Sequence, residues 1–188
     1  MRGKSVIRIV LIMAFILSMC AVAYAEDPSP EALAKESEEF AASTEKDKVT
    51  AEIIRAKVEE GCALLQAEGL PALAKFKGKG SAFIFSGTYI WIHDMNGKMI
   101  MHPIKFKMEG KELINLKDTQ GKLFFAEMNK LAGEKGAGWV DYMWPKPGEK
   151  EGSKKISYVK LCKVGDQDLV LGCGVYDLPD EEIAKMKQ

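Results

Sequence analysis

A chain of 188 residues with 27 basic and 27 acidic side chains is electrically balanced, and its lysines nowhere form a dense basic run interleaved with aromatics. That excludes the electrostatic footprint of a nucleic-acid binder. The length suits one domain with a core of its own.

The first element is a leader. Arg2, Lys4 and Arg8 precede an almost uninterrupted apolar run from Ile9 to Ala23, which closes on Ala23-Tyr24-Ala25. A charged start, an apolar stretch and a small-x-small triplet read as a secretory signal peptide over residues 1–25, cleaved so that Glu26 becomes the N-terminus. The rival reading is an uncleaved N-terminal membrane anchor, for which the run is somewhat short. Lipoprotein processing at Cys20 is disfavoured by the bulky Met19. Cleavage removes three basic residues and leaves a mildly acidic exported protein of about 160 residues, a size that holds one core. No second long apolar segment follows.

Residues 26–48, rich in Glu, Lys, Ala and Ser, read as a polar linker or loose helix. From Val49 to Glu68 the apolar positions Val49, Ile53, Ile54, Val58, Cys62 and Leu65 recur at helical spacing, with Gly69 as the stop. A shorter helix spans Leu70 to Phe76, with Pro71 in its first turn. The period then changes. Ala82 to Phe85, Thr88 to Asp94 and Lys98 to His102 read as strands, the last two joined by the hairpin signal Asp94-Met95-Asn96-Gly97. Lys111 to Lys117 is irregular, and Gly121 to Ala132 reads as a helix. Three more strands follow at Trp139 to Trp144, Lys155 to Lys163 and Leu169 to Tyr176, and a polar helix begins at Asp180. One helix, then antiparallel strands with one inserted helix, is an α+β arrangement around a single sheet. The domain is placed at 49–178, with 179–188 as a C-terminal tail helix.

Cys62, Cys162 and Cys173 remain after cleavage, an odd number. The expectation is buried thiols acting as small hydrophobes; a Cys162–Cys173 bridge between adjacent strands is the alternative.

Catalytic signatures fail in turn. Gly133-Glu134-Lys135-Gly136-Ala137-Gly138 has neither a Walker lysine nor a dinucleotide fingerprint, and no Gly-x-Ser-x-Gly elbow or His-Glu-x-x-His pair is present. With His93 and His102 the only imidazoles, a small exported enzyme would have to use Cys–His or His–carboxylate chemistry. No catalytic residue, metal or cofactor is assigned. Large side chains concentrate instead in Tyr89 to Asp94 and in Trp139 to Gly148. Tyr142, Trp144 and Lys146 share parity, so an extended chain points them to one face, where two rings beside an ammonium suit a small carboxylate. Were Lys146 in solvent, the anion would be sought near His102, Lys155 or Arg55, the only arginine after the leader. Trp91 lies opposite His102 if Asn96-Gly97 is a two-residue turn, and the two face apart if Asp94 to Gly97 is a type I turn with a glycine bulge.

Tyr89 to Met99, His102-Pro103, Gly110-Lys111, Lys117 to Phe125, Gly138 to Gly148, Lys155 to Val159 and Gly172 to Tyr176 together resemble the single Cache domain of bacterial receptors. The resemblance covers about Val49 to Leu178. It implies a PAS-like antiparallel sheet beside a long N-terminal helix and one inserted helix, with a ligand pocket next to that insertion. It further implies a periplasmic sensor of small molecules such as acetate-, propionate-, lactate- or pyruvate-like acids. Carried over by position, the ligand-binding candidates are Trp91, His102, Tyr142, Trp144, Lys146 and Tyr158. Many relatives continue into a signalling domain. Because this chain stops soon after Leu178, the expected partner is a separate membrane chemoreceptor or sensor kinase, and a homodimer through the N-terminal helix is a further expectation. A structural, self-associating role for residues 26–68 is the remaining alternative.

Overall fold

The computed structural model describes residues 27–44 and 49–187. The leader, its cleavage site and Cys20 lie outside the described residues. Helix α1, Pro30–Ser43, starts where Ser29 Oγ accepts from Ala32 N at 3.2 Å and Pro30 supplies a first-turn residue with no N–H to satisfy. Composition alone reads this segment as solvated, yet Ala34, Ser37 and Ala41 form a buried seam of small residues at helical spacing. Ser37 Oγ accepts from Gly78 N at 2.8 Å, tying α1 to the body of the fold.

Helix α2, Ala51–Glu68, is capped by Thr50 and stops at Gly69, whose φ of 71° favours a residue without a Cβ. Its inward stripe is Ile54, Val58, Gly61, Cys62 and Leu65. A 3₁₀ helix follows at Leu70–Phe76. The strands are β1 Ile84–Phe85, β2 Thr88–Asp94, β3 Met99–Met101, β4 Ala137–Pro145, β5 Gly152–Val164 and β6 Gln167–Tyr176, with α3 at Phe124–Lys135 before β4 and α4 at Asp180–Met186. All strand pairings are antiparallel, in the order β1-β2-β6-β5-β4, with β3 also on β2.

Alternation along the strands separates two apolar cores, one on each side of the sheet. On the α2 side Ile90, Ile92, Trp139, Ile156, Tyr158, Leu171 and Cys173 pack with Ile54, Val58 and Leu65. On the other side Tyr89, Trp91, Val140, Tyr142, Val159 and Val170 meet Phe124, Phe125 and Met128 of α3. The candidate site lies on this second side.

One sequence expectation, the free thiols, is overturned by the fold, and the hairpin register that the sequence left open is decided by it. Cys62 of α2 and Cys162 of β5 form a disulfide with Cα atoms 5.7 Å apart, so neither is a free thiol, and among the described residues only Cys173 stays reduced and buried. Cys162 cannot reach Cys173: its partner across the ladder is Leu169, four residues and roughly 13 Å from Cys173. The β2–β3 hairpin matches neither simple register. Gly97, with φ 81°, closes a turn in which Asp94 N donates to Lys98 O, the glycine-bulge geometry, but the pairing slips again between His93↔Met99 and Ile92↔Met101. The extra residue, Ile100, cancels the first offset and brings His102 back level with Trp91.

Candidate functional site

Four strands and two connections deliver side chains to one enclosure on the α3 side of the sheet. Tyr89 and Trp91 come from β2, Lys155 from β5, and Tyr142 and Trp144 from β4; Phe124 and Phe125 open α3, Met99 opens β3 and His102 follows its end. The ring of Phe124 stacks on Tyr142 with centroids 4.5 Å apart. Strand β6 contributes space. A Cβ on Gly172 would lie 2.2 Å from Cζ2 of Trp91, and one on Gly174 would lie 2.0 Å from Ser157 Oγ and 2.9 Å from Lys155 Cε. Alternate glycines on this face let the indole and the lysine stem lie flat on the sheet.

Lys155 is completely buried. Its Nζ lies 4.5 Å from the ring centroids of Tyr89 and Tyr176 and 5.2 Å from that of Trp91. It donates to Tyr176 Oη at 3.0 Å, and that hydroxyl donates onward to Pro145 O at 3.1 Å. Among the described residues no acidic side chain pairs with it. Three electron-rich faces and one hydroxyl solvate an ammonium poorly by comparison with water. Burial accordingly pulls the Lys155 pKa down from 10.5 to about 7, with Lys105 adding like charge and Cys173 opposing.

The other polar groups here carry no negative charge, and one of them is a donor left without an acceptor. His102 Nδ1 accepts from Ile104 N at 3.2 Å and Lys105 N at 2.9 Å, which leaves the proton of the neutral ring on Nε2. Burial, and then Lys155, Lys105 and Lys77, hold that ring well below its usual pKa and so uncharged. Trp91 keeps a buried Nε1–H with no acceptor. Trp144 Nε1 donates to Tyr89 Oη at 3.2 Å, and Tyr142 Oη sits 3.1 Å from Ser157 Oγ. A buried ammonium, an orphaned N–H and aromatic walls, with no carboxylate among the described residues of the lining, have the chemistry that suits a small anion. The enclosed volume is about 10 Å³, no more than one water needs. An organic anion fits such a space only if a wall is displaced.

Of the six candidates, Trp91, His102, Tyr142 and Trp144 line this enclosure, and Lys146 and Tyr158 do not. Pairing of β4 ends at Pro145↔Gly152, and the chain then turns, with Glu149 N donating to Lys146 O, so the strand alternation stops before Lys146. Its Nζ instead pairs with Asp177 at 2.5 Å on the outer rim. Tyr158 is three residues from Lys155 on a continuous strand and therefore faces the α2 side, where the Arg55 guanidinium lies 5.7 Å from its ring and 5.8 Å from that of Trp139. Arg55 is thus absent from the enclosure. Arg55, Trp139 and Tyr158 border a much larger groove of about 610 Å³, but that groove is open and its arginine is exposed to solvent. An anion bound there gains less than one beside a fully buried ammonium. Lys155, Tyr89 and the glycine pair are what spacing around Trp144 alone did not single out; the parity of Gly172, Gly174 and Tyr176 was the available signal.

Both imidazoles have partners that are neither thiol nor carboxylate: His93 Nε2 meets Asn129 Oδ1 at 2.8 Å, and His102 accepts from backbone. No helix among the described residues is long and apolar enough to cross a membrane.

The family model of the Cache domain, dCache_2, matches residues 68–187. A methyl-accepting chemotaxis protein of Pseudomonas putida, McpP, is 43% identical over 88 residues, which are 47% of this chain and 16% of that protein. The sensor histidine kinase MctS of Rhizobium johnstonii is 31% identical over 88 residues, again 47% of this chain and 18% of that protein. The chain thus spans less than a fifth of either relative. Among solved structures, one described as the structural basis for carboxylic acid recognition by a Cache chemosensory domain is 34% identical with a TM-score of 0.56, covering 73% of this chain and 95% of that one. A periplasmic sensor domain of a chemotaxis protein is 31% identical with a TM-score of 0.51, covering 66% and 88%. With its antiparallel sheet, its flanking helices and a family match over most of its length, this chain belongs to the Cache domain family.

Proposed function

We propose that this protein is a non-enzymatic periplasmic sensor module, exported by cleavage after Ala25, that binds a short carboxylate in the enclosure around Lys155 and passes its ligand state to a separate membrane receptor or kinase. The observation that carries the reading is the buried ammonium without a counter-ion. Burying a lone charge costs several kcal/mol unless it is paired, and a carboxylate supplies the missing partner while the aromatic walls cover a short alkyl group. Trp91 and His102 line the same enclosure, and we assign their Nε1–H and Nε2–H as donors to the second oxygen. Support comes also from the carboxylic-acid-recognising Cache domain at 34% identity and from the chemotaxis relative at 43%.

The test is calorimetric titration of the protein lacking residues 1–25 with acetate, propionate, lactate and pyruvate, alongside thermal shift, since a ligand selective for the folded state raises its melting temperature. Saturable binding of at least one acid without turnover is expected. Failure of all four to bind or to raise the melting temperature at millimolar concentration would overturn the assignment.

A further inference from the structure

The geometry around Lys155 has a consequence for how the anion is bound, and it rests on the carboxylate reading above. We propose that the site takes up its carboxylate together with a proton, so that binding converts Lys155 from an amine, in a fraction of the unliganded molecules that grows with pH, to the ammonium of a buried ion pair. The balance is simple: one solvent proton joins the Nζ lone pair, and no covalent bond to the ligand forms.

Burial and the surroundings from every side support this. From β2, Tyr89 and Trp91 present ring faces; from β6, Tyr176 presents a ring face and an accepting hydroxyl. From β5 and β4, Ser157 and Tyr142 are bonded to each other. Phe124 and Phe125 of α3 carry no charge. The segment after β3 brings His102 and Lys105, with Lys77 behind them, and α1 places Glu38 near Tyr89. No described residue in that shell offers Nζ a negative partner, so its amine form is unusually accessible, with a pKa of about 7. Its neighbours do not share that range. Burial keeps His102 neutral and takes His93 down to about 4, and it pushes Tyr89 and Cys173 up to about 12 and Tyr142 and Tyr176 well above 10. Between pH 6 and 9 Lys155 is the group in this shell positioned to exchange a proton on binding. A bound carboxylate favours the ammonium and raises its pKa, so linkage requires proton uptake above pH 7 and affinity that weakens there.

The experiment titrates the protein lacking residues 1–25 with the tightest of the four acids, in pairs of buffers of different ionisation enthalpy, at pH 6.0 and pH 8.5. Expected are near-zero proton uptake at pH 6.0, uptake approaching one proton at pH 8.5, and affinity at least about tenfold weaker at the higher pH. In parallel, ¹⁵N NMR of the lysine Nζ in the wild type should show one lysine titrating near neutrality without ligand and moving upward with it, a readout that does not depend on any variant folding. Binding with no buffer dependence at pH 8.5, or no lysine titrating below pH 9, overturns the proton coupling and leaves the carboxylate site standing. Absence of binding for all four acids overturns both.

Discussion

Replacing Lys155 by methionine should make the ligand-free protein more stable while removing its carboxylate affinity. A lysine pKa moved from 10.5 to about 7 corresponds to roughly 5 kcal/mol of preference for the neutral form. Methionine keeps most of the stem bulk and needs no solvation. It gives up the hydrogen bond into Tyr176, worth about 1 kcal/mol, and Tyr176 still donates to Pro145 O. Exchanging a buried charge for an apolar side chain commonly stabilises by about 1–4 kcal/mol. In a domain of this size each kcal/mol is about 2–4 °C in Tm. The sign with pH follows from the depressed folded-state value. The penalty is fully present below about 7 and fades as pH rises toward 10.5, so wild-type stability climbs across that window and the advantage of the variant shrinks. Urea unfolding of both proteins at pH 6, 8 and 9.5 reads this directly, and propionate should stabilise only the wild type. A methionine variant less stable than wild type at pH 6, or an advantage that grows with pH, would refute the uncompensated-charge argument.

Reducing the Cys62–Cys162 bridge, or replacing both by serine, should cost about 3–5 kcal/mol, because it closes a loop of sequence separation 100; calorimetry showing under about 1 kcal/mol would put its role in doubt. Gly172→Ala should destabilise by about 1–3 kcal/mol and abolish binding, since its Cβ meets the Trp91 ring at 2.2 Å, whereas Gly138→Ala meets only the movable end of Leu131 at 2.6 Å and should be milder. Lys146→Met should change carboxylate affinity less than about threefold, because its ammonium pairs with Asp177 outside the enclosure; a loss of tenfold or more in calorimetric titration would return Lys146 to the site.

Local pattern was enough to read the order of elements and much of one wall of the site. Thr88–Asp94 is a strand with the bounds its alternation suggests, and Tyr142 and Trp144 share a face because period-two geometry leaves them no choice. The succession of motifs likewise pointed to the Cache family. The packing of α1 was illegible because its buried seam is made of alanine and serine, residues that carry no hydrophobic signal. Pairing of Cys62 with Cys162 depends on where α2 crosses the sheet, a contact between residues 100 apart. Lys155, one of three fallback positions that the sequence offered, separates from His102 and Arg55 only once β5 is laid between β4 and β6. Its neighbours Tyr89 and Tyr176 come from strands 66 positions before it and 21 after it, and the charge is conspicuous only because tertiary packing excludes the water that would otherwise solvate it. Sequence periodicity determines which face a side chain takes. Long-range packing determines which charges share that face and whether water reaches them, and that decides where an anion can be held.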